Sequence, residues 1–183
     1  MLMQKFLISA LVVALSTFAT PAAAEVVNAS PGSFMLRAEE IVNAEPDRVW
    51  RALSRVQNWW NAAHTYSGDS SNLRLAARAG GCFCETWGAG QSVEHARVVM
   101  VSDLEGVRTL RLLGALGPLQ DMGVSGVLTF SVAEDAAGAK VTMTYRIAGD
   151  PALGLDSLAP LVDGVLNEQF GRLVRYSRGE GLN

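Results

Sequence analysis

The sequence predicts an α+β domain in which a curved antiparallel sheet of about seven strands wraps around one long C-terminal helix. Apolar and polar residues alternate through residues 123–134 and 140–148, as in strands that have one covered and one solvated face. Turn-forming residues recur between such segments from residue 72 onward, which is typical of a meander. Apolar residues at three- and four-residue steps then predict an amphipathic helix over residues 158–176.

The elements follow one another in a simple order along the chain. Alternation that begins at Phe34 predicts the first strand, and Pro46 with its acidic neighbours predicts the start of a short helix. A second short helical segment is expected at residues 56–62, and Ser157 is the expected N-cap of the last helix. The remaining strands are predicted at 72–79, 81–87, 91–102, 107–114, 123–134 and 140–148.

Residues 1–24 have the pattern of a secretory signal peptide. Lys5 precedes an apolar run from Phe6 to Phe18, and Ala22-Ala23-Ala24 supplies the small residues that signal peptidase recognises. Cleavage is expected after Ala24, so the mature protein is expected to be periplasmic or secreted. The apolar run is shorter than the roughly 20 residues of a spanning helix, so no stable membrane span is expected after cleavage.

The mature chain is expected to contain a flexible N-terminal arm at 25–33, one domain at 34–178 and a C-terminal tail at 179–183. Removal of 1–24 removes Lys5 and no acidic residue, so 14 basic and 18 acidic residues give a formal charge of −4. Nucleic acid is therefore a poor candidate partner. The sequence does not determine the oligomeric state.

Cys82 and Cys84 lie two residues apart on a predicted strand, so their side chains share one face. Three states remain open for them. They are two reduced thiols that act as small apolar groups, a disulfide across a very short loop, or part of a metal site completed by His64, Glu85 or His95. The metal site is the weakest of the three, because two sulfurs alone do not complete a coordination shell.

The turn at residues 88–90 decides which residues face each other in the predicted hairpin. A three-residue loop pairs Phe83 with His95, whereas a four-residue loop pairs Glu85 with Glu94 and brings His95 to the cysteines. Two opposed glutamates repel each other, and three-residue loops that contain glycine are common. We therefore expect the three-residue loop, which weakens the metal hypothesis further.

The expected register gathers polar and aromatic side chains on one face of the hairpin, namely Phe83, Glu85, Trp87, His95 and Arg97. If that face is concave, Glu85 and His95 can act as acid and base, and Arg97 can hold an anionic oxygen. The structural alternative is an ion pair of Glu85 and Arg97 that His95 completes. If the face is convex, the cluster is a solvated surface and the cysteines face inward.

Four sequence segments together resemble one superfamily: AEPDRVWRAL at 44–53, Trp59-Trp60, Gly80-Gly81-Cys82-Phe83 and the amphipathic last helix. They resemble the polyketide-cyclase and lipid-transfer superfamily, which has the helix-grip fold of the birch-pollen allergen. The similarity is greatest to the branch named after activators of a heat-shock-chaperone ATPase, and it spans 34–178. The resemblance implies a cavity between the sheet and the long helix, and a bulky, mostly apolar ligand. Because the chain carries an export signal, the cytosolic cochaperone role is not expected here.

The function expected from these observations is an exported binder or carrier of a small hydrophobic or amphipathic molecule. Two alternatives stay open: a cyclase, dehydratase or isomerase that uses Glu85 and His95, and an envelope protein-interaction module. No cofactor is expected, because no nucleotide-binding loop or strong metal motif occurs. The residues expected to contact the ligand are Trp60, Phe83, Glu85, Trp87, His95, Arg97, Leu128, Phe130, Met143, Tyr145, Leu166 and Phe170.

Gly164 and Gly171 are unusual because they lie inside the predicted last helix. Each costs up to about 1 kcal/mol of helix stability relative to alanine. Close approach of another element, or space for a ligand, would justify that cost. Two flexible segments, at 64–71 and 114–119, are candidate loops at the mouth of a cavity.

Overall fold

The computed structural model of the protein describes residues 25–182, and the predicted signal peptide at 1–24 lies outside the described residues. Eight strands and two α-helices make up the fold of these residues. They are β1 Glu25–Ser30, β2 Ser33–Val42, α1 Pro46–Ser54, β3 Leu73–Leu75, β4 Cys82–Trp87, β5 Gln91–Leu104, β6 Val107–Leu113, β7 Ser125–Asp135, β8 Gly138–Ala148 and α2 Leu155–Arg178.

The strands form one antiparallel sheet in the order β1-β2-β8-β7-β6-β5-β4-β3. The meander therefore runs from β3 to β8, and β2 joins it beside its last strand. This arrangement, with its long C-terminal helix, confirms the predicted α+β helix-grip fold. The sheet has eight strands, where about seven were expected.

The additional strand is β1, in the segment where the sequence predicts a flexible arm at 25–33. That prediction is wrong, because Glu25 to Ser30 pairs with β2 as far as the tight turn that joins Ser30 to Ser33. Every residue of β1 is exposed. A strand without a buried face has no hydrophobic alternation, and this explains why the sequence pattern gave no sign of it.

The core lies on the face of the sheet that α1 and α2 cover. Phe34, Leu36 and Ala38 of β2 alternate inward, and β8 repeats the pattern across a register that pairs Ser33 with Ala148. From the helices, the core receives residues spaced by three and four positions: Val49, Ala52 and Leu53 of α1, and Leu166, Phe170 and Leu173 of α2. None of the helices within residues 25–182 combines the length and apolar character needed to cross a membrane.

The ends of two predicted elements differ from the structure. Helix α2 begins at Leu155 after Gly154, so Ser157 lies in its first turn and is not the N-cap. The Ser157 hydroxyl instead donates back to the Gly154 carbonyl at 2.7 Å. Strand β3 ends at Leu75, because the chain turns just after it. In this turn Arg78 N donates to the Ala76 carbonyl, and Gly81 N donates to the Arg78 carbonyl.

The helical segment after α1 is also more irregular than expected. Instead of one helix at 56–62, two 3-10 turns occur at Val56–Asn58 and Ala62–His64. The Trp59 indole donates to the Ala52 carbonyl at 3.0 Å, which fixes the first of these turns against α1. This path carries the chain from α1 toward α2 and then to β3.

Gly164 and Gly171 both lie on the exposed side of α2. Apart from the adjacent residues and the neighbouring backbone of α2 itself, no described atom lies within 4 Å of the position that a Cβ would occupy at either residue. Close approach of another element therefore does not explain these two glycines.

We expect Gly164→Ala and Gly171→Ala each to stabilise the protein by up to about 1 kcal/mol, because alanine has the higher helix propensity. Urea denaturation of the purified protein measures the change in the free energy of unfolding. Gly126→Ala is the matched control. The new Cβ would collide with the Gly114 carbonyl oxygen, so this variant should be less stable than wild type. Destabilisation by both helix variants would contradict the assignment of these positions to open solvent.

Candidate functional site

Glu85 is a fully buried carboxylate on β4. Its Oε1 accepts a hydrogen bond from Ser67 N at 2.6 Å, and its Oε2 accepts one from Tyr66 N at 3.0 Å. The same Oε2 lies 3.1 Å from Nε2 of His95, which is also buried. Buried charges require such partners, so Glu85 holds the loop at Tyr66 and Ser67 against the β4–β5 hairpin.

The surroundings of this pair determine its protonation. Burial raises the pKa of Glu85, but the hydrogen bonds from Ser67, Tyr66 and His95 outweigh it, so the pKa is lowered overall. Burial lowers the pKa of His95 by more than its contact with Glu85 raises it. At neutral pH the pair is therefore an ionised carboxylate and a neutral imidazole. Because a carboxylate only accepts, Nε2 carries the imidazole proton and Nδ1 keeps its lone pair.

A β-bulge lies at His95 on β5. The register expected from the three-residue turn is confirmed as far as Cys84, which pairs with Glu94. Beyond that point it is wrong, because Phe83 pairs with Ala96 and His95 is an additional residue on β5. His95 and Ala96 are consequently both buried, although they are adjacent in sequence.

The bulge moves Arg97 to the outer face of the sheet. Its side chain is half exposed, and its Nε donates to Glu94 at 3.1 Å. Its Nη1 donates to the Gly80 carbonyl at 3.3 Å. The expectation that Arg97 contacts the ligand or pairs with Glu85 is therefore wrong, and the inner face has no cation at this position.

Five aromatic rings connect the core to the surface through the site. The ring centroids are 5.6 Å apart for Trp59 and Trp60, 5.3 Å for Trp60 and Phe83, 4.9 Å for Phe83 and His95, and 5.8 Å for His95 and Tyr66. Trp59 is buried, whereas Tyr66 is 52% exposed. The structure thus brings the predicted residues Trp60, Phe83 and His95 together, and it adds Tyr66 at the outer end.

The other residues expected to contact a ligand have different surroundings. Trp87, near the hairpin turn, is half exposed. Six residues are buried in the hydrophobic core of the sheet and α2: Leu128, Phe130, Met143, Tyr145, Leu166 and Phe170. The Tyr145 hydroxyl accepts from Leu116 N at 2.8 Å and donates to the Gly114 carbonyl at 3.2 Å, and burial raises its pKa. Tyr145 therefore ties the segment at 114–119 to the sheet.

The loop at 64–71, the other candidate mouth segment, is fixed from two sides. Its backbone donates to Glu85, as described above, and His64 Nε2 lies 3.1 Å from Glu168 Oε2 on α2. The Asn61 side chain also donates to Glu168, and the Asn61 backbone N–H donates to Gln169 Oε1 at 2.8 Å. These contacts connect the site to the middle of α2.

Helix α2 carries polar atoms that are buried without a hydrogen-bond partner among residues 25–182. They are Oδ1 of Asp163, Nε2 of Gln169 and Oγ of Ser177. Burial raises the pKa of Asp163. Asp163 is not among the predicted site residues, although its position four residues after Ala159 and three before Leu166, both buried, places it on the core-facing stripe.

Cys82 and Cys84 form a disulfide, which is one of the three states that the sequence leaves open. Both residues are half buried, and their Cα atoms are 5.4 Å apart. Neither His64 nor His95 joins them. Within the described part of the chain, the group of potential metal-binding side chains is Cys82, Cys84 and Glu94, whose ligand atoms lie within 4.8 Å of one another.

Two surface clefts among the described residues lie at α1. One, of about 730 Å³, lies between the start of α1 and the β5–β6 and β7–β8 turns, where charged residues such as Asp47 and Arg108 line it. The other, of about 230 Å³, lies between α1 and the end of α2. None of the residues predicted to bind a ligand lines either cleft.

Comparison with protein families gives one match that spans most of the described chain. A family model described as "Polyketide cyclase / dehydrase and lipid transport" matches residues 34–178. No curated protein matches the sequence.

Solved structures share the fold at low sequence identity. A protein of Rhizobium leguminosarum is 19% identical with a TM-score of 0.56, and the match covers 88% of this chain and 100% of that one. A Mesorhizobium loti protein is 14% identical with a TM-score of 0.55, covering 81% and 99%. Norcoclaurine synthase of Thalictrum flavum, in complex with dopamine and hydroxybenzaldehyde, is 13% identical with a TM-score of 0.55, covering 82% and 90%.

We expect the protein to lose stability on acidification through the Glu85–His95 pair. Both pKa values are lowered in the folded state. The unfolded chain therefore takes up protons first, at His95 below about pH 6.5 and at Glu85 below about pH 4.3. The stabilisation is complete above these values and is lost as the pH falls. Chemical denaturation at pH values between about 8 and 4 measures the slope of the free energy of unfolding against pH.

His95→Gln should reduce that slope between about pH 7 and pH 5, because the titrating imidazole is gone. His64→Gln is the matched control, since His64 is the only other histidine and its contact with Glu168 is partly exposed. The same slope in wild type and His95→Gln would show that His95 is not held neutral by burial.

Proposed function

The chain belongs to the polyketide cyclase, dehydrase and lipid transport family, and from this membership we propose that it binds and carries a small amphipathic molecule between the sheet and α2. The observation that carries the proposal is the set of unpartnered polar atoms on the core-facing side of α2. Membership in the family supports ligand binding, and the unpartnered polar atoms indicate the chemical class of the proposed ligand.

Buried polar groups in folded proteins nearly always have hydrogen-bond partners, because an unpaired group costs about 1–3 kcal/mol. Asp163 Oδ1 and Gln169 Nε2 have none among the described residues. Gln169 is almost completely buried, and its other amide atom is held by Asn61, next to Trp60. A bound molecule with its own donor and acceptor would satisfy these atoms, whereas a pure hydrocarbon would leave them unpaired.

The charges of the site favour an uncharged polar group on that molecule. The pKa of Asp163 is raised by burial and the pKa of His95 is lowered by it, so both side chains are driven toward their neutral forms. Arg97, the cation expected to hold an anionic oxygen, lies on the outer face. Hydroxyl or carbonyl groups on an apolar or aromatic skeleton fit these donors, acceptors and rings.

We expect Asp163→Leu to separate ligand binding from stability. The ligand-free variant should be more stable than wild type, because an unpaired buried carboxyl oxygen is removed. Its affinity for the ligand should fall about tenfold, the effect of one lost hydrogen bond of about 1.4 kcal/mol. Native mass spectrometry of protein from its expression host measures the retained molecule, and urea denaturation measures stability.

The control is Asp156→Leu, which removes an exposed acid from the first turn of the same helix. It should leave the retained molecule in place. Wild-type protein that carries no small molecule, or an Asp163→Leu protein that retains as much as wild type, would contradict the carrier proposal.

A second candidate function is acid–base catalysis of a cyclase, dehydratase or isomerase type. The geometry of Glu85 and His95 favours it, because a carboxylate 3.1 Å from Nε2 orients a neutral imidazole whose Nδ1 is free to take a proton. This function would use the same amphipathic ligand as its substrate. Turnover of the retained molecule by wild-type protein would favour catalysis over carriage.

We also propose that the protein is exported. One observation supports this proposal besides the pattern of residues 1–24. The Cys82–Cys84 disulfide is of a kind that persists in oxidising compartments outside the cytoplasm.

The N-terminus of the protein recovered from the periplasmic or secreted fraction should therefore be Glu25, as measured by intact mass. Ala24→Phe should block cleavage, because signal peptidase requires a small residue there. Ala23→Phe is the matched control and should be cleaved normally, since the intervening position of the motif accepts larger residues. Recovery of the uncleaved wild-type chain from the cytoplasm would contradict export.

A further inference from the structure

The Cys82–Cys84 disulfide lies on the outer face of β4, where a thiol can reach it. Both residues are half buried, and Glu94 and Arg97, which flank them on β5, are exposed. The ring that the disulfide closes contains one intervening residue, Phe83. Exposed disulfides are the ones that exchange with external thiols, because the attacking sulfur needs access.

The same segment of β4 forms part of the inner site. Phe83 points to the opposite face from the cysteines, with its ring centroid 4.9 Å from that of His95 and 5.3 Å from that of Trp60. Glu85 follows Cys84 directly and accepts the hydrogen bonds that hold the loop and His95. Outer and inner residues therefore alternate through residues 82–85.

The disulfide also shortens this part of the strand. Residues two apart on a regular strand have Cα atoms about 6.6 Å apart, at roughly 3.3 Å per residue. The Cα atoms of Cys82 and Cys84 are 5.4 Å apart. The pairing with β5 is irregular at the same place, between Phe83 and Cys84. Opening the disulfide would allow the segment to extend, and Phe83 would shift relative to His95.

We propose that Cys82–Cys84 is an exchangeable disulfide, a modification site for dithiol reductants, and that its opening rearranges Phe83 and His95 on the inner face. A thiolate of the dithiol attacks one sulfur of the pair and forms a mixed disulfide, while the other cysteine leaves as a thiolate and is protonated. The second thiol of the reductant then attacks the mixed disulfide. This step releases the first cysteine and leaves the reductant as a disulfide, with two electrons and two protons transferred to the protein.

The exchange itself is tested on the native, full-length protein without any ligand. The protein is treated with dithiothreitol in the absence of denaturant, its thiols are blocked with iodoacetamide, and the number of blocked cysteines is counted by mass spectrometry. We expect none before treatment and both after it, with reversal by oxidised glutathione. Two free thiols in the untreated protein, or a disulfide that is reduced only after denaturation, would overturn the proposal.

The rearrangement is tested by NMR of the two histidine rings. Reduction should shift the His95 ring resonances more than those of His64, whose partner Glu168 lies on α2. Cys82→Ser/Cys84→Ser is the matched variant, and it should show the reduced positions with or without dithiothreitol. Unchanged His95 resonances on reduction would overturn the coupling.

Any effect of reduction on ligand affinity rests on the proposed carrier function. Both experiments above use no ligand, so they can succeed when no retained molecule is found. They can also fail while the carrier proposal stands.

Discussion

The buried carboxylate of Glu85 is the constraint on which the arrangement of the site depends. An ionised group without solvent contact must be surrounded by donors, and the chain supplies three from two distant segments. Tyr66 and Ser67 contribute backbone N–H groups. If the loop after the tryptophan pair left the sheet, the buried Glu85 carboxylate would lose these two donors. His95 contributes its ring nitrogen, so β5 must turn that residue inward.

A bulge at His95 changes which other residues β5 places on that inner face. In a regular strand His95 and Arg97 would share a face, and the site would have a permanent cation. One extra residue puts His95 and Ala96 inside and Arg97 outside, where it pairs with Glu94. The inner face consequently offers a neutral imidazole and aromatic rings. A single irregularity in strand pairing thus removes from the inner face the cation that could hold an anionic group.

The sequence predicts those parts of the protein that repeat a pattern. Alternation fixes β7 and β8, three- and four-residue spacing fixes α2, and the three-residue turn fixes the hairpin register as far as Cys84. The bulge was not predictable, because residues 93–98 contain no glycine or other turn residue that marks it. Strand β1 was missed because it buries no side chain, and Asp163 because a charged residue is normally assigned to the solvated side of an amphipathic helix.

Helix α2 shows that this protein is not arranged for stability alone. Two glycines on its exposed side lower its helix propensity, and polar atoms on its core-facing side lack partners in the described structure. Each feature has a free-energy cost that a single substitution would remove. Unpaired polar atoms are retained where a site needs polar groups ready for a ligand, whereas nothing in the structure explains the two exposed glycines. The unpaired atoms lie on the core-facing side of α2, which is the side on which the proposed function places a ligand.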